Sequence, residues 1–483
     1  MPIKTREQYI ESLRKMNYNV YFLGERIENP VDHPVIRPSA EAVALTYELA
    51  NVPEYQNMAT AKSHLTGKTI NRFTHIHQSS EDLVTKVKLQ RLLGQMCGVC
   101  FQRCVGMDAI NALSIVTYDT DQALGTSYYQ RFNNFLKHIQ ENDLVCDGAM
   151  TDPKGDRRLR PHQQADPDMY LRVVEKTANG IVVRGAKVHQ TGALNSHEII
   201  VMPTINMTEE DEDYAVSFAM PSDTKGITYV YGRQSCDTRA LEEGDIDLGN
   251  AKYGGHESLV IFNDVFVPWE RVFMCGEYQF SGSLVEKFGG YHRQSYGGCK
   301  AGVGDVLIGA AATMLDYNGL SKASHSKDKL VEMIHLNETI YSGGLACSYE
   351  GKKKPSGTCY VDNLLANVCK QNVTRFPYEI ARIAQDLVGG LMATMPSEKD
   401  FRHPEVGKYI EKYLKGADGV AAEPRMRVLR LIENLTMGRG AVGYLTESMH
   451  GAGSPQAQRI MINREARLEN KKKLAKALAG VRE

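Results

Sequence analysis

Three cysteines fall close together early in the chain: Cys97, Cys100 and Cys104. On a helix of about 3.6 residues per turn, spacings of i, i+3 and i+7 share one face, with Cys100 and Cys104 roughly 6 Å apart. A metal ion or iron-sulfur cluster needs thiolates converging from one side, and Cys-x3-Cys on a helix supplies two of them. The spacing is not the C-x2-C-x2-C run of bacterial ferredoxins, and reduced core cysteines on a buried helix face satisfy the same pattern. A second group lies far along the chain, in Tyr291-His-Arg-Gln-Ser-Tyr-Gly-Gly-Cys-Lys300. His292 and Cys299 are soft-to-borderline metal ligands. Joined to the helical pair they make a Cys3His set in which imidazole replaces one thiolate and leaves that iron more open to exchange. A core histidine satisfied by backbone is the alternative for His292. Cys146, Cys236, Cys275, Cys347, Cys359 and Cys369 are scattered and read as structural.

Helices and strands must carry these groups. Thr5 with Gln8 makes a capping box, after which Tyr9, Ile10, Leu13 and Met16 recur at helical spacing. A second long helix is expected from Ser79, with Asp82 in its first turn, through Leu83, Val87, Leu92 and Leu93 toward Val105; Gly94 and Gly98 weaken it. From Cys146 the texture changes to short β-branched runs: 180–188, 198–202, 216–220, 227–231 and 259–262. Val265 to Val272 reads as the exit strand, with Pro268 at an edge or at the end of pairing. Helical periodicity returns from Glu277, most clearly over 328–341, 360–372, 379–388 and 425–436. Lys471 to Lys476 reads as a solvated basic helix end, with a phosphate contact as the alternative. The expected class is α+β in three parts: a helical part over 1–145, a β part over 146–276 and a helical bundle over 277–483. Clefts between such parts are where cofactors sit.

At 483 residues, the expected number of domains is about three. The 57 basic and 58 acidic side chains cancel to a formal net charge of -1, which argues against a polyanion-binding or nucleic-acid-binding surface. The most apolar stretch, Ala301 to Leu315, is interrupted by Asp305 and is shorter than the ~18 apolar residues of a bilayer span, so no membrane helix is expected. The N-terminal residues lack the apolar region of a signal peptide, so the expected location is the cytoplasm, with reduced cysteines.

Several segments together resemble the 4-hydroxybutyryl-CoA dehydratases, a branch of the 4-hydroxyphenylacetate 3-hydroxylase superfamily. They are Leu92-Leu-Gly-Gln95, Cys100-Phe-Gln-Arg-Cys-Val-Gly-Met-Asp108, Asp147-Gly-Ala-Met-Thr-Asp-Pro-Lys-Gly-Asp156, Tyr291 to Lys300, Arg375-Phe-Pro-Tyr-Glu379, Gly389-Gly-Leu-Met392 and Thr446 to Gln456. The likeness runs over essentially the whole chain. It implies the acyl-CoA dehydrogenase-like fold, assembled as a homotetramer. It also implies a [4Fe-4S] cluster on Cys100, Cys104, His292 and Cys299, with Cys97 outside the ligand set. FAD would lie against Met150, Thr151, Asp152, Pro153, Lys154, Gly155, Asp156 and Arg157 and against His189, Gln190 and Thr191. Taken bare, Asp152 to Gly155 is an ordinary β-turn. Gly389 and Gly390 resemble a glycine pair that approaches a neighbouring subunit's flavin, and as a bare feature mark a helix end.

The activity so implied is radical dehydration of 4-hydroxybutyryl-CoA to crotonyl-CoA, with isomerisation of vinylacetyl-CoA to crotonyl-CoA. The C3 hydrogen to be removed is not acidified by the thioester, whereas the C2 proton is within reach of a positioned base. A flavin would acidify C3 by one-electron chemistry, and an iron with an exchangeable ligand would accept the hydroxyl. His292 would be ligand and base in one; Glu447 matches a second acid/base; Glu257, Tyr296 and Lys300 match further site residues, with Lys300 or Tyr296 bonding a substrate oxygen. The rivals are a cluster-free flavin-dependent aromatic hydroxylase and a non-catalytic flavin and cluster carrier.

Overall fold

The computed structural model describes residues 3–481. Helix α1 (Arg6–Arg14) starts at the expected box: Gln8 N donates to Thr5 Oγ1 and Thr5 N to Gln8 Oε1. Its buried face, Tyr9, Ile10 and Leu13, packs on α2 (Arg37–Asn51). Between them lie two strands that the sequence did not announce, β1 (Val20–Phe22) and β2 (Glu25–Ile27). Three residues are too few to display a period of two. Helix α3 (Ser80–Cys97) is capped by Ser79, whose Oγ accepts from Asp82 N. It does not continue toward Val105. Gly98 takes φ 63°, a left-handed cap, and α4 (Cys104–Leu124) begins only after a six-residue break. Helix α5 (Tyr128–Glu141) folds back on α4.

Two sheets come next. The first has six strands in the order β2-β1-β8-β9-β5-β4, with β4 (Arg172–Lys176), β5 (Gly180–Thr191), β8 (Ile227–Tyr231) and β9 (Glu257–Pro268). The second has four, β10-β7-β6-β3, with β3 (Cys146–Ala149), β6 (Glu198–Val201), β7 (Val216–Pro221) and β10 (Val272–Cys275). Alternate residues such as Val183, Val201, Phe218 and Phe262 fill the space between the sheets. The other face of the second sheet, through Ile200, Ala219 and Phe273, packs on Ile110, Leu113 and Phe132 of α4 and α5. Each fully buried Leu, Val or Phe contributes roughly 1.5–3 kcal/mol. The expected exit strand is two strands: β9 ends at Pro268, opposite Gly180, and a turn over 269–271 leads into β10.

Helix α6 (Tyr278–Tyr317) is 40 residues long and runs through the C-terminal part among α7 (Ser324–Tyr349), α8 (Asn363–Val373), α9 (Phe376–Val388) and α10 (Ala422–Thr436). Tyr360 belongs to a short strand rather than to α8, which begins where Asp362 caps Leu365 N. Glycines explain how α6 meets α3. A Cβ on Gly298 would lie 2.5 Å from Val87 O, and one on Gly302 would lie 2.2 Å from Arg91 O. The two backbones touch, which no side chain allows. By length and composition α6 is apolar enough to cross a membrane, unlike the shorter stretch judged from sequence, but 67% of its most apolar window is buried inside the protein. Its Asp305 pairs with Arg91 of α3 at 2.8 Å.

Candidate active site

The break between α3 and α4 changes the cysteine geometry. Cys100 sits in the connecting loop and Cys104 opens α4, so the three thiols do not share one helix face. Cys97 Sγ turns to Val99 O at 3.2 Å, inside the core. The loop is pinned by Arg103, whose guanidinium lies between the rings of Tyr47 (4.3 Å) and Phe73 (5.1 Å) and donates to Thr46 Oγ1. Across from it, His292 and Cys299 stand two turns apart on one face of α6. All four residues line one small pocket.

His292 is held from behind. Asp108, one turn after Cys104, is fully buried; burial would raise its pKa, yet Lys86 and His292 hold it below the usual carboxylate value. An ionised Asp108 makes His292 Nδ1 the donor to Oδ2 (2.8 Å), which leaves Nε2 with the free lone pair. Lys86 Nζ donates to Asp108 Oδ1 (2.6 Å), to Tyr291 O (3.1 Å) and to Gln294 Oε1 (2.9 Å), and Ser295 Oγ donates to Asp108 Oδ2 (3.0 Å). The donor atoms of Cys104, Asp108 and His292 lie within 4.8 Å of one another. Since Asp108 is engaged with three partners, its part is to orient His292. Sequence reasoning gave neither Lys86 nor Asp108 a role. The available signal was Asp108 at i+4 from Cys104.

The chemistry of this donor set fits a cationic metal group. Burial pushes the Cys100 and Cys104 thiols well up and Cys299 up to about 11. Adjacent buried thiolates need positive charge beside them, which iron supplies and a bare core does not.

The opposite wall carries acid–base groups. A short turn, α11 (Glu447–His450), follows a π-helical stretch over 442–446. Glu447 Oε2 accepts from Lys300 Nζ at 2.7 Å, and Lys300 also donates to Gly443 O. Glu257, at the start of β9, accepts from Thr191 Oγ1 (2.7 Å). Burial and the neighbouring Glu447 hold Glu257 well above the usual carboxylate range, so it stays protonated while Glu447 faces the ammonium. Burial also pushes the Tyr296 phenol up. Its hydroxyl lies so close to Gly451 that a Cβ there would fall 1.7 Å away. Phe288 and Tyr296 flank the His292 ring at 5.4 and 5.1 Å.

The segment from Met150 to Arg157 follows β3. Asp152 is turned inward: Leu171 N donates to it (2.9 Å) and Lys187 Nζ pairs with it (2.9 Å), so it shapes the loop from inside. Met150 O accepts from Lys187, and Thr151 O accepts from Val188 N (2.8 Å), tying the loop to β5. Past Pro153, Lys154 and Gly155 are both left-handed (φ 75° and 49°), a turn that carries the chain out to the surface. There Asp156 pairs with Arg158 (2.6 Å), while Gln190 folds back on Val188 O (2.6 Å). Burial lowers the pKa of Lys154 and of His189; Arg157 lowers both further, and His450 adds to the effect on His189. Among the described residues none of these four basic groups has an ion-pair partner. An unpaired basic cluster beside a loop of turned backbone fits a dinucleotide's phosphates. Gly389 and Gly390 end α9, and a Cβ on either would meet nothing within 4 Å.

The family profile described as 4-hydroxyphenylacetate 3-hydroxylase N terminal matches residues 5–274, and its C-terminal counterpart matches 281–480. The chain is 63% identical to the 4-hydroxybutyryl-CoA dehydratase/vinylacetyl-CoA-Delta-isomerase of Clostridium aminobutyricum, over 99% of this chain and all of that one. The solved oxygen-tolerant archaeal 4-hydroxybutyryl-CoA dehydratase from N. maritimus superposes with a TM-score of 0.98 at 59% identity, covering 100% of this chain and 96% of that one. The oxygenase component of 4-hydroxyphenylacetate 3-monooxygenase, solved in complex with FAD, superposes with a TM-score of 0.86 at 26% identity, covering 98% of each chain. The chain therefore belongs to the 4-hydroxyphenylacetate 3-hydroxylase family, within its 4-hydroxybutyryl-CoA dehydratase branch.

Proposed function

We propose that this chain dehydrates 4-hydroxybutyryl-CoA to crotonyl-CoA by a radical route, and isomerises vinylacetyl-CoA to crotonyl-CoA, with FAD and a [4Fe-4S] cluster as resident cofactors. One observation carries the reading: Cys100, Cys104, His292 and Cys299 line the same buried pocket as Lys300, Tyr296 and Glu447. An aromatic hydroxylase has no use for three thiols there. When bound, the flavin supplies one-electron oxidation and its reversal, and the cluster supplies a Lewis-acidic iron.

The chain's own groups handle the protons. His292, oriented through Nδ1, offers Nε2 as the fourth cluster ligand and as the base for the C2 proton, one role at a time. Lys300 Nζ holds the Glu447 carboxyl group in place, where it is suited to take the C3 proton and return it toward C4. The protonated Glu257, held by Thr191, and the Tyr296 phenol donate to substrate oxygens. Lys154, Arg157 and His189, with the backbone from Met150 to Arg157, hold the flavin's phosphates and ring edge. Gly389 and Gly390 act in a neighbouring subunit's flavin site within a homotetramer.

The test is iron, acid-labile sulfide and flavin per chain on anaerobically purified protein, with crotonyl-CoA formation followed before and after air. About four irons and one FAD are expected, with activity falling as the cluster bleaches. Flavin without iron in protein never exposed to air would overturn the proposal in favour of a hydroxylase.

A further inference from the structure

Lys370, on α8, is completely buried, and among the described residues it has no carboxylate partner. Its ammonium donates to Ser448 O, the carbonyl that follows Glu447, and stands 4.5 Å from the centre of the Tyr296 ring. Lys300 Nζ stands 4.9 Å from the same ring, so Tyr296 lies against two ammonium groups. Burial, with Lys300 and Arg293 nearby, pushes Lys370 down to about 7. A methionine of similar length would fill this space without burying a charge. The segment that Lys370 grips has little support of its own. Helix α11 is a single turn joined to a π-helical stretch, and a lone turn does not hold itself. Its last carbonyls need donors from outside. Ser448 Oγ is bonded within the segment, to Tyr444 O, and Tyr296 presses its hydroxyl against Gly451 at the segment's end.

We propose that Lys370 is a positioning residue for the acid–base wall of the pocket: its buried Nζ clamps the Ser448 carbonyl and the Tyr296 ring, and so fixes the Glu447 carboxylate and the Tyr296 hydroxyl in register with Lys300. The inference rests on the function proposed above, in which Glu447 and Tyr296 act on substrate. The charge over the ring and the hydrogen bond to the carbonyl are separable. Lys370→Met removes both, whereas Lys370→Gln keeps a donor for the carbonyl and removes the charge.

Both variants are compared with the wild-type chain as cofactor-loaded, anaerobically purified protein. Three quantities are read: flavin and iron content, kcat against KM for crotonyl-CoA formation, and hydrogen–deuterium exchange of the 442–451 segment. In Lys370→Met we expect full cofactor content, an unchanged KM, a kcat lowered about 10–100-fold and faster exchange in 442–451, with Lys370→Gln recovering part of both losses. Unchanged kcat and exchange in Lys370→Met would overturn the proposal. So would loss of cofactors and of overall folding in both variants, which would make Lys370 a folding residue. A wild-type chain that forms no crotonyl-CoA would defeat the proposed function instead, while the exchange data would still decide whether the clamp exists.

Discussion

Two polar regions of the molecule treat their charges in opposite ways. Around His292, the carboxylates are matched inside the protein, Lys86 with Asp108, Asp108 with His292 and Ser295, and Lys300 with Glu447, while Lys370 and Arg293 are held by the carbonyls of Ser448 and Ala452. Around the 150–157 loop, Lys154, Arg157, His189 and His450 stand together with no ion-pair partner among the described residues, while the buried Asp152 is already paired with Lys187. A matched network fixes geometry and tolerates little change, because removing one partner strands another in a low-dielectric interior. An unmatched cluster is complete only with something bound, so its loss shows in affinity before it shows in folding.

The largest effect that would sharpen this contrast is on the thiols. Cys104→Ala and Cys299→Ala should each abolish iron binding and lower dehydration by more than about 1000-fold, read as iron per chain beside turnover. Next comes His292→Cys, expected to retain a cluster yet stop exchange of the C2 proton with solvent; persisting exchange would exclude His292 as the base. Glu447→Gln should lower dehydration by about 100- to 10,000-fold, and undiminished turnover would remove it from the chemistry.

The matched network makes a smaller, two-sided prediction at Glu257. Its folded-state pKa is raised, so stability associated with its proton is fully present below the unfolded value, near 4.5, and is lost as pH rises through the folded value. Glu257→Gln should therefore melt at an equal or higher temperature than wild type at pH 8 while losing activity, checked by thermal melts from pH 5 to 8. The smallest effect belongs to the unmatched cluster: Lys154→Met should weaken flavin retention by about 10-fold with an unchanged melting temperature of the flavin-free protein. A loss of stability there would erase the difference between the two regions.

Much of this was visible in the residue pattern wherever the signal is local. The Thr5 and Ser79 caps, and β-branched runs such as 180–188 and 216–220, became the elements they announced. The pocket gathers Cys100, Cys104, His292, Cys299, Tyr296, Lys300 and Glu447, named together from the resemblance rather than from spacing. Spacing misled at Gly98, where one left-handed residue turned an apparent helix face into a loop and a new helix start. It was silent about Lys86 because a charged residue inside a helix reads as surface; Asp108, the carbonyl of Tyr291 and the Gln294 side chain, from other helices, make its burial tolerable. Strand β1 was hidden for a similar reason, since its partner β8 comes from the middle of the chain.

The glycine contact between α3 and α6 also bears on how the protein matures. Asp108 on α4 and His292 on α6 are 184 residues apart in sequence, and the neighbouring contact of α3 with α6 leaves no room for a side chain. The residues proposed to hold the cluster come together only once α4 has packed on α6, so closure of this long loop would set the earliest moment of metal uptake. If the proposed cluster is bound, an assembly factor would therefore meet an acceptor whose helices have already packed.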